Sequence, residues 1–432
     1  MDVSDNYNKY RDLFIGVDNP VKLSNGNIAM PIGFDNGATT PSFKSSYKTL
    51  HDGLITYGAV SRGTGQKSEI TTKKYEKARK IILDFFNLGN DSRYTVVFGK
   101  TTTECMNLLA NILIKYKNEK IITTRMEHHA NDLPWRYSST VEYIDVDKMG
   151  RINIDDIENK LKENKGTIKY VTITGASNVT GYINKIHEIA KICHSYNAKI
   201  IVDAAQLVAH KEIDMKGNKP GEGIDFLVFS GHKVYAPYGT GVIVGLKEDL
   251  SNVTPFLKGG ACVKAVTDYD VIWSEVPALH EAGSPNSLGA MATARSLQQL
   301  RKIGFDNIYE HEMMLKEFII DEMKKIDRVI LYGDNENIDD RLGIIAFNIE
   351  GEDYKEMGKR YADEMAIALR TGKFCAHPYV NRLMGVSDEV ACNNAYNNKP
   401  TNGMIRASLG LYNTMEEARA FIAYTKYLVS TL

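Results

Sequence analysis

Lys233 is the side chain of this 432-residue sequence whose setting most plainly suggests covalent chemistry. It follows DFLVFSGH (225–232), an apolar run that predicts a buried strand ending at Ser230, with His232 directly before the lysine. Gly239 and Gly241 then bracket a tight turn ahead of the next apolar run. A lysine held by a rigid element and partly desolvated has a lowered pKa, which frees its amine for Schiff-base formation. On position alone, a surface lysine beside a loop is the simpler reading. Asp203 ends a second apolar run, IIVDAAQ (200–206), with Gln206 three residues on. A carboxylate leaving a buried strand is costly unless it meets a cation or a donor. A protonated pyridine nitrogen is such a partner, and a helix N-terminus is another.

Three further segments carry reactive types. VVFGKTTTECMN (96–107) runs from strand into helix with Thr102 and Thr103 at the helix start. Free amides, hydroxyls and the helix dipole there suit a phosphate dianion, although Thr-Thr-Glu is also an ordinary capping box. MEHHAND (126–132) holds the pair His128 and His129 without the companion ligands that zinc needs, and no metal site is expected. Cys375 lies between a strand pattern and a proline-containing turn, where mobile catalytic loops are found. A thiolate nucleophile needs deprotonation and exposure. Buried or idle thiols are the plain reading for Cys105, Cys193, Cys262 and Cys392.

Such residues need a frame, and the apolar periodicity supplies one. Between about 90 and 250, strand patterns at 94–98, 120–124, 169–174, 198–205, 225–231 and 241–246 alternate with helix-period segments at 102–116 and 183–196. Strands separated by helices imply crossovers, hence an α/β fold with a mostly parallel sheet covered on both faces. Ligands of such sheets bind beyond the carboxyl ends of the strands. After about 290 the pattern changes to a long helix ending at Gly304, then strands near 328–333, 343–349, 366–372 and 404–412 among helical stretches. The expected division is a large domain over 31–290, a smaller α+β domain over 291–432, and an N-terminal segment, 1–30, packing with the smaller one. Residues 381–402, polar and turn-rich, read as an exposed loop.

Composition narrows the function classes. Lys+Arg 53 against Asp+Glu 54 gives a net charge of -1, which offers no polyanion surface for nucleic acid or an anionic membrane. Five scattered cysteines with no C-x-x-C pair point away from a disulfide framework and toward a reducing compartment. The polar start, MDVSDNYNKYRDLF, lacks the apolar core of a signal peptide, so a cytoplasmic protein is expected.

Taken in order, the segments resemble the class V branch of fold-type I pyridoxal-phosphate enzymes, and within it the group II cysteine desulfurases and selenocysteine lyases. FDNGATTP (34–41), EHHAND with LPW (133–135), ASNVTG (176–181), VDAAQ, SGHKVYAPYGTG, EAGSPN (281–286), RTGKFCAHP (370–378) and RASLGLYNT (406–414) carry the resemblance across nearly the whole chain. The resemblance implies pyridoxal 5'-phosphate as cofactor, held covalently by Lys233, with Asp203 on the ring nitrogen and His128 stacked on the ring. Gln206 and Asn178 would bond the phenolic oxygen. Thr102, Thr103, Ser230 and His232 would hold the phosphate, with Ser284 reaching it from a second subunit of a homodimer. Arg406 would clamp the substrate carboxylate, aided by Asn178, and Arg62 in SRGTG matches a family arginine near the dimeric site.

The implied reaction takes L-cysteine to L-alanine, leaving a persulfide on Cys375 for a sulfur acceptor, a protein among the candidates; His128 would carry the proton. A related C–S or C–Se lyase, or an aminotransferase or epimerase with Cys375 idle, is the alternative. Departures from the family pattern cluster near the cysteine. Lys373 and Phe374 replace two histidines, His377 replaces a glutamine, and Ser61, Thr101 and Ser284 replace a histidine, a glycine and a threonine.

Overall fold

The computed structural model describes residues 10–432 apart from 62, 165 and 400. Its centre is a seven-stranded sheet: β1 (Tyr94–Gly99), β2 (Lys120–Thr124), β3 (Thr140–Ile144), β4 (Ile168–Thr174), β5 (Lys199–Asp203), β6 (Phe226–Ser230) and β7 (Gly241–Leu246). The spatial order is β1-β7-β6-β5-β4-β2-β3. β7 runs antiparallel to β1 and β6, while the remaining neighbours are parallel. Successive residues of β6 face opposite layers: Phe226 and Val228 enter one core, Leu227 and Phe229 the other. With both faces covered, a strand needs apolar residues at every position, hence the unbroken runs in the sequence.

Register explains why the chemistry gathers at one edge. Thr174 pairs with Asp203, Asp203 with Val228, Ser230 with Gly241, and Gly241 with Gly99. The carboxyl ends of β1, β4, β5 and β6 therefore line up beside the start of β7. Helix α1 (Thr102–Leu113) leaves β1 at this edge, capped by Thr101, whose hydroxyl accepts from the Glu104 N–H at 3.2 Å.

Helix α2 (Ser287–Ile303) ends at Gly304, whose φ of +89° lets the chain turn straight into α3 (Phe305–Met323). A second, antiparallel sheet follows: β8 (Val329–Tyr332), β9 (Ile344–Ile349), β10 (Arg370–Gly372) and β11 (Met404–Ser408), ordered β8-β9-β11-β10. A separate core joins this sheet to α3 and the C-terminal helix Met415–Ser430. Ile32 and Phe34 lie in that second core, because the short strand Ile32–Gly33 pairs with Ile367–Ala368. Upstream, Phe14 stacks on Phe43 at 4.7 Å while Arg11 pairs with Glu417 at 2.7 Å, so the first described residues touch both cores. The chain then re-enters the sheet edge through 35–40, next to β11.

One expectation fails. The stretch 381–402 is not a loop throughout: it holds the end of α4 (His377–Leu383) and a helix, α5 (Asp388–Tyr396). Ser387 caps α5 through the Val390 N–H, and the helix buries none of its residues, so no apolar period exists to be read. β3 and the helix Ile154–Glu163 were not anticipated either; TVEYI is a half-exposed edge strand with a charge at its centre. Among the described residues, no helix is long and apolar enough to cross a membrane.

Candidate active site

A cavity of about 320 Å³ opens at the carboxyl edge of the large sheet, between it and the second sheet. Lys233 projects into it from the single helical turn Gly231–Lys233 that follows β6. That turn is pinned by Gly231, whose N–H donates to the Thr240 carbonyl at 2.7 Å and whose carbonyl accepts from Ala236 at 2.9 Å. A Cβ on Gly231 would stand 2.5 Å from the Thr293 hydroxyl, so the close packing under the lysine needs glycine. Burial, with Arg406 adding to it, lowers the lysine to about 8 against the opposing pull of Asp203 and Cys375. Among the described residues its amine makes no hydrogen bond. It is a nucleophile in waiting.

Asp203 is buried at the end of β5 and accepts one hydrogen bond, from the Ala205 N–H at 3.0 Å. Burial raises its carboxyl, with the Ala205 amide and Lys233 opposing. A buried carboxylate with an uncommitted oxygen facing a cavity suits a cationic ring nitrogen. Glu127 is a second buried carboxyl close by, raised to about 8 chiefly by burial and further by Asp203. It ties the loop after β2 together, accepting from the Thr124 hydroxyl and the Asn131 amide, each at 2.7 Å. Asn131 in turn accepts from Trp135 Nε1 at 3.0 Å and Thr172 Oγ1 at 2.6 Å, which fixes its orientation.

The opposite end of the cavity is a cup of donors. The Thr102 N–H donates to Ser230 Oγ at 2.7 Å, and the two hydroxyls share a bond of the same length. Thr103 and His232 line the same end, with burial and Lys233 lowering His232 to about 4. Gly241 closes the cup from below: a Cβ there would meet the backbone of Thr101 at 2.6 Å. Hydroxyls and a helix N-terminus make this a place for a phosphate.

His128 hangs over the cavity at the start of the turn His129–Asn131. Its Nδ1 accepts from the Ala130 N–H at 3.0 Å, so the neutral ring carries its hydrogen on Nε2. Burial, then Lys233, His129 and Arg406, lower it to about 3, and it stays neutral at any physiological pH. Gln206 donates one amide hydrogen to the Gly37 carbonyl at 2.8 Å, and Asn178 one to the Phe374 carbonyl at 2.8 Å. Each keeps a second hydrogen free for a ligand.

Arg406, in the middle of β11, is buried and points across to the large sheet. Nη1 donates to the Asn178 carbonyl at 2.8 Å, Nη2 lies 3.2 Å from Asp35, and Nε has no partner among the described residues. Burial lowers it to about 10, with Asp35 resisting. Asp35 also holds Arg370, at 2.9 Å, so one carboxylate spaces two guanidiniums at the cavity mouth. Gly37 leaves room for this: a Cβ would stand 3.1 Å from Arg406 Nη2. An incompletely bonded guanidinium facing a cavity is suited to a ligand carboxylate.

Cys375 is exposed and lines the same cavity. Phe374 and Cys375 both hold positive φ, at +50° and +54°, after Gly372 at +117°. Two successive left-handed residues without glycine cost about 1–2 kcal/mol each, so neighbours must impose the turn. Asn178 does so on one side, and the Phe374 ring lies 5.0 Å beneath the Arg406 guanidinium. Lys373 turns away, donating to Asn381 Oδ1 at 3.0 Å.

The structure thus gathers Lys233, Asp203, His128, Gln206, Asn178, Thr102, Thr103, Ser230, His232, Arg406 and Cys375 around one cavity. Ser284 lies elsewhere, beside a separate cleft with His280 and Glu281, and Arg62 falls outside the described residues. Sequence reasoning missed Asp35 and Glu127. Asp35 stood in view within FDNGATTP, but its arginine partners are far along the chain, at 370 and 406.

The aminotransferase class-V family profile matches residues 32–421. That is nine-tenths of the chain. The chain belongs to the aminotransferase class-V family. It is 33% identical over 410 residues to a probable cysteine desulfurase of Pyrococcus abyssi, covering 93% of this chain and 95% of that protein. A cysteine desulfurase of Escherichia coli is 33% identical over 370 residues, 84% of each chain. The apo structure of a cysteine desulfurase from Thermococcus onnurineus superposes with a TM-score of 0.82 at 31% identity, over 93% of this chain and 95% of that one. The class-V family implies pyridoxal phosphate, and the residues fit it: a cup for the phosphate, an uncommitted carboxylate for the ring nitrogen and an unbonded lysine for the aldehyde.

Proposed function

We propose that this class-V protein is a cysteine desulfurase dependent on pyridoxal 5'-phosphate, taking L-cysteine to L-alanine and holding the sulfur as a persulfide on Cys375. The observation that carries the reading is an exposed cysteine, held in a left-handed turn, on the same cavity as the lysine and Arg406. Thr102, Thr103, Ser230 and His232 would hold the phosphate, Asp203 the ring nitrogen, and Gln206 with Asn178 the phenolic oxygen. When bound, the cofactor supplies an aldehyde that captures amines and a ring that accepts an electron pair released at the substrate Cα.

The chain's own residues do the rest. Arg406 takes the substrate carboxylate through the unused hydrogens of its fork, which fixes Cα and leaves the thiol toward Cys375. With its amine free, Lys233 would act as the base that accepts the Cα proton; its lowered pKa suits that role. Cys375 Sγ, as thiolate, forms a bond to the substrate sulfur while the C–S bond breaks. The C–S electron pair stays with Cβ, which takes a proton, Lys233 returns its proton to Cα, and alanine leaves. His128 presents a fixed Nε2–H to this space and holds a proton without itself becoming charged.

A homodimer is part of the proposal, since Ser284 can serve a phosphate only from a second chain. The free, scattered cysteines support a reducing, cytoplasmic setting, and an exposed Cys375 supports hand-over of its sulfur to an acceptor, a protein among them. An amino-acid screen that scores alanine, pyruvate and sulfide together tests the reading. Alanine and sulfide from cysteine in equal amounts, with a reductant present, are expected. Pyruvate as product would replace the desulfurase by a C–S lyase.

A further inference from the structure

We propose that His129 is the positioning residue for the Cys375 segment, and that with His377 it forms a latch that holds only while the His129 ring is neutral. The inference rests on the reading of Cys375 as the sulfur-accepting nucleophile.

The second histidine of MEHHAND grips the cysteine segment on both sides of Ala376. Its backbone N–H donates to the Cys375 carbonyl at 2.6 Å. Its ring Nε2 accepts from the His377 N–H at 3.3 Å. The two imidazoles meet edge to face, with centroids 4.6 Å apart. The same loop turns His128 toward the cavity and Glu127 into the core, so His129 is anchored to the sheet and can anchor the cysteine in turn. Phe374 and Cys375 hold positive φ and have no glycine to relax them, so the turn that aims the thiol exists only while its neighbours hold it. Lys373 and Phe374 stand where the resembling desulfurases carry histidines, and His377 where they carry glutamine. In this chain an imidazole stands after the cysteine instead of before it.

An accepting ring nitrogen cannot carry a proton, so latched His129 has its hydrogen on Nδ1. Protonation turns that acceptor into a donor facing a donor, and the ring contact to His377 fails. Burial lowers His129, Arg136 lowers it further, and Asp132 opposes them. His377 is lowered to about 4 by burial, by His129 and by Lys373, and His128 adds its own ring on the cavity side. When the segment opens, both rings return toward the ordinary 6.5 and bind protons more tightly. The latch is therefore at full strength above about 6.5 and weakens as pH falls from there toward 4. Closed, it keeps the thiol over the substrate; open, it turns the sulfur out toward solvent.

Amide hydrogen exchange on the holoenzyme, followed by mass spectrometry of a peptide spanning 373–380 and corrected for intrinsic rates, reads the latch directly. Wild-type protection is expected to fall by about fivefold or more between pH 7.5 and 5.5. His129→Gln keeps an acceptor for the His377 N–H but cannot titrate, so only the His377 ring is left to respond and its protection should fall clearly less than the wild type's over the same range. His129→Ala should lose protection at both, with kcat for alanine down about tenfold, while the KM for cysteine and the cofactor absorbance barely change. Wild-type protection that ignores pH, a glutamine variant that loses as much protection in acid as the wild type or is open throughout, or unchanged kcat in the alanine variant would each overturn the proposal. The protection readings do not depend on whether Cys375 accepts sulfur, which the alanine and sulfide screen decides separately; the kcat reading does.

Discussion

Burial sets what each polar side chain of the cavity can do. Lys233 is lowered to about 8 because its charge is taken out of water with no hydrogen bond in return. A lysine bound less tightly to its proton when folded than at 10.5 when unfolded weakens the fold at neutral pH. The cost is full below about 8 and gone above about 10.5. Lys233→Met should therefore stabilise the cofactor-free protein at pH 7, by up to about 3 kcal/mol, with the gain vanishing near pH 10.5 in urea titrations. A gain that does not shrink with pH would show that the lysine is not charge-strained. Arg406 makes a different point. Its fork is split between Asn178, Asp35 and an unbonded Nε, a geometry an ammonium cannot copy. Arg406→Lys should raise the KM for cysteine by about 30-fold or more while the cofactor absorbance is little altered. Equal KM values would remove Arg406 from the substrate site.

Most of this site was legible where a buried strand delivers a residue to its carboxyl end. β2 and β7 fall on the segments expected for them, and Asp203, Ser230 and Lys233 follow from the ends of β5 and β6. β3 and α5 escaped because neither buries a full face. Two glycines show what spacing alone could not say. Gly239 has φ +70° and belongs to the turn, whereas Gly241 is needed because the Thr101 backbone fills the space of a Cβ. Gly241→Ala should push the start of α1 off the sheet and weaken pyridoxal phosphate binding by tenfold or more, on the order of 1.4 kcal/mol, measured by equilibrium dialysis. Unchanged affinity would mean that the cup at Thr102 is not the phosphate site. The loop after β2 is held by Glu127, whose role lay hidden because its partners, Thr124, Asn131 and through it Thr172, are set by the fold. Glu127→Leu leaves the Asn131 amide and the Thr124 hydroxyl unpaired and should cost about 2–3 kcal/mol in urea unfolding.

At the scale of the molecule, the site is made where two cores meet. The sheet domain brings Lys233, Asp203 and the phosphate cup; the second sheet brings Arg406 and, through the β10 segment, Cys375. Ser284 stands apart from that cavity in its own chain, so sedimentation should give a species of twice the chain mass, and Ser284→Ala should loosen the phosphate only in the dimer. The motif order in the sequence anticipated which residues meet, but not the charge balance at the mouth, where Asp35 is shared by Arg370 and Arg406. The central claim is that Cys375 removes the substrate's sulfur while the rest of the cavity merely holds and activates it. Cys375→Ser in the loaded enzyme separates the two. Adding L-cysteine should still change the cofactor absorbance, because capture of the amine needs Lys233 and Arg406 alone, yet alanine formation should fall by about three orders of magnitude, since a hydroxyl is a far weaker nucleophile at neutral pH. Alanine released by that variant at the wild-type rate would contradict the account.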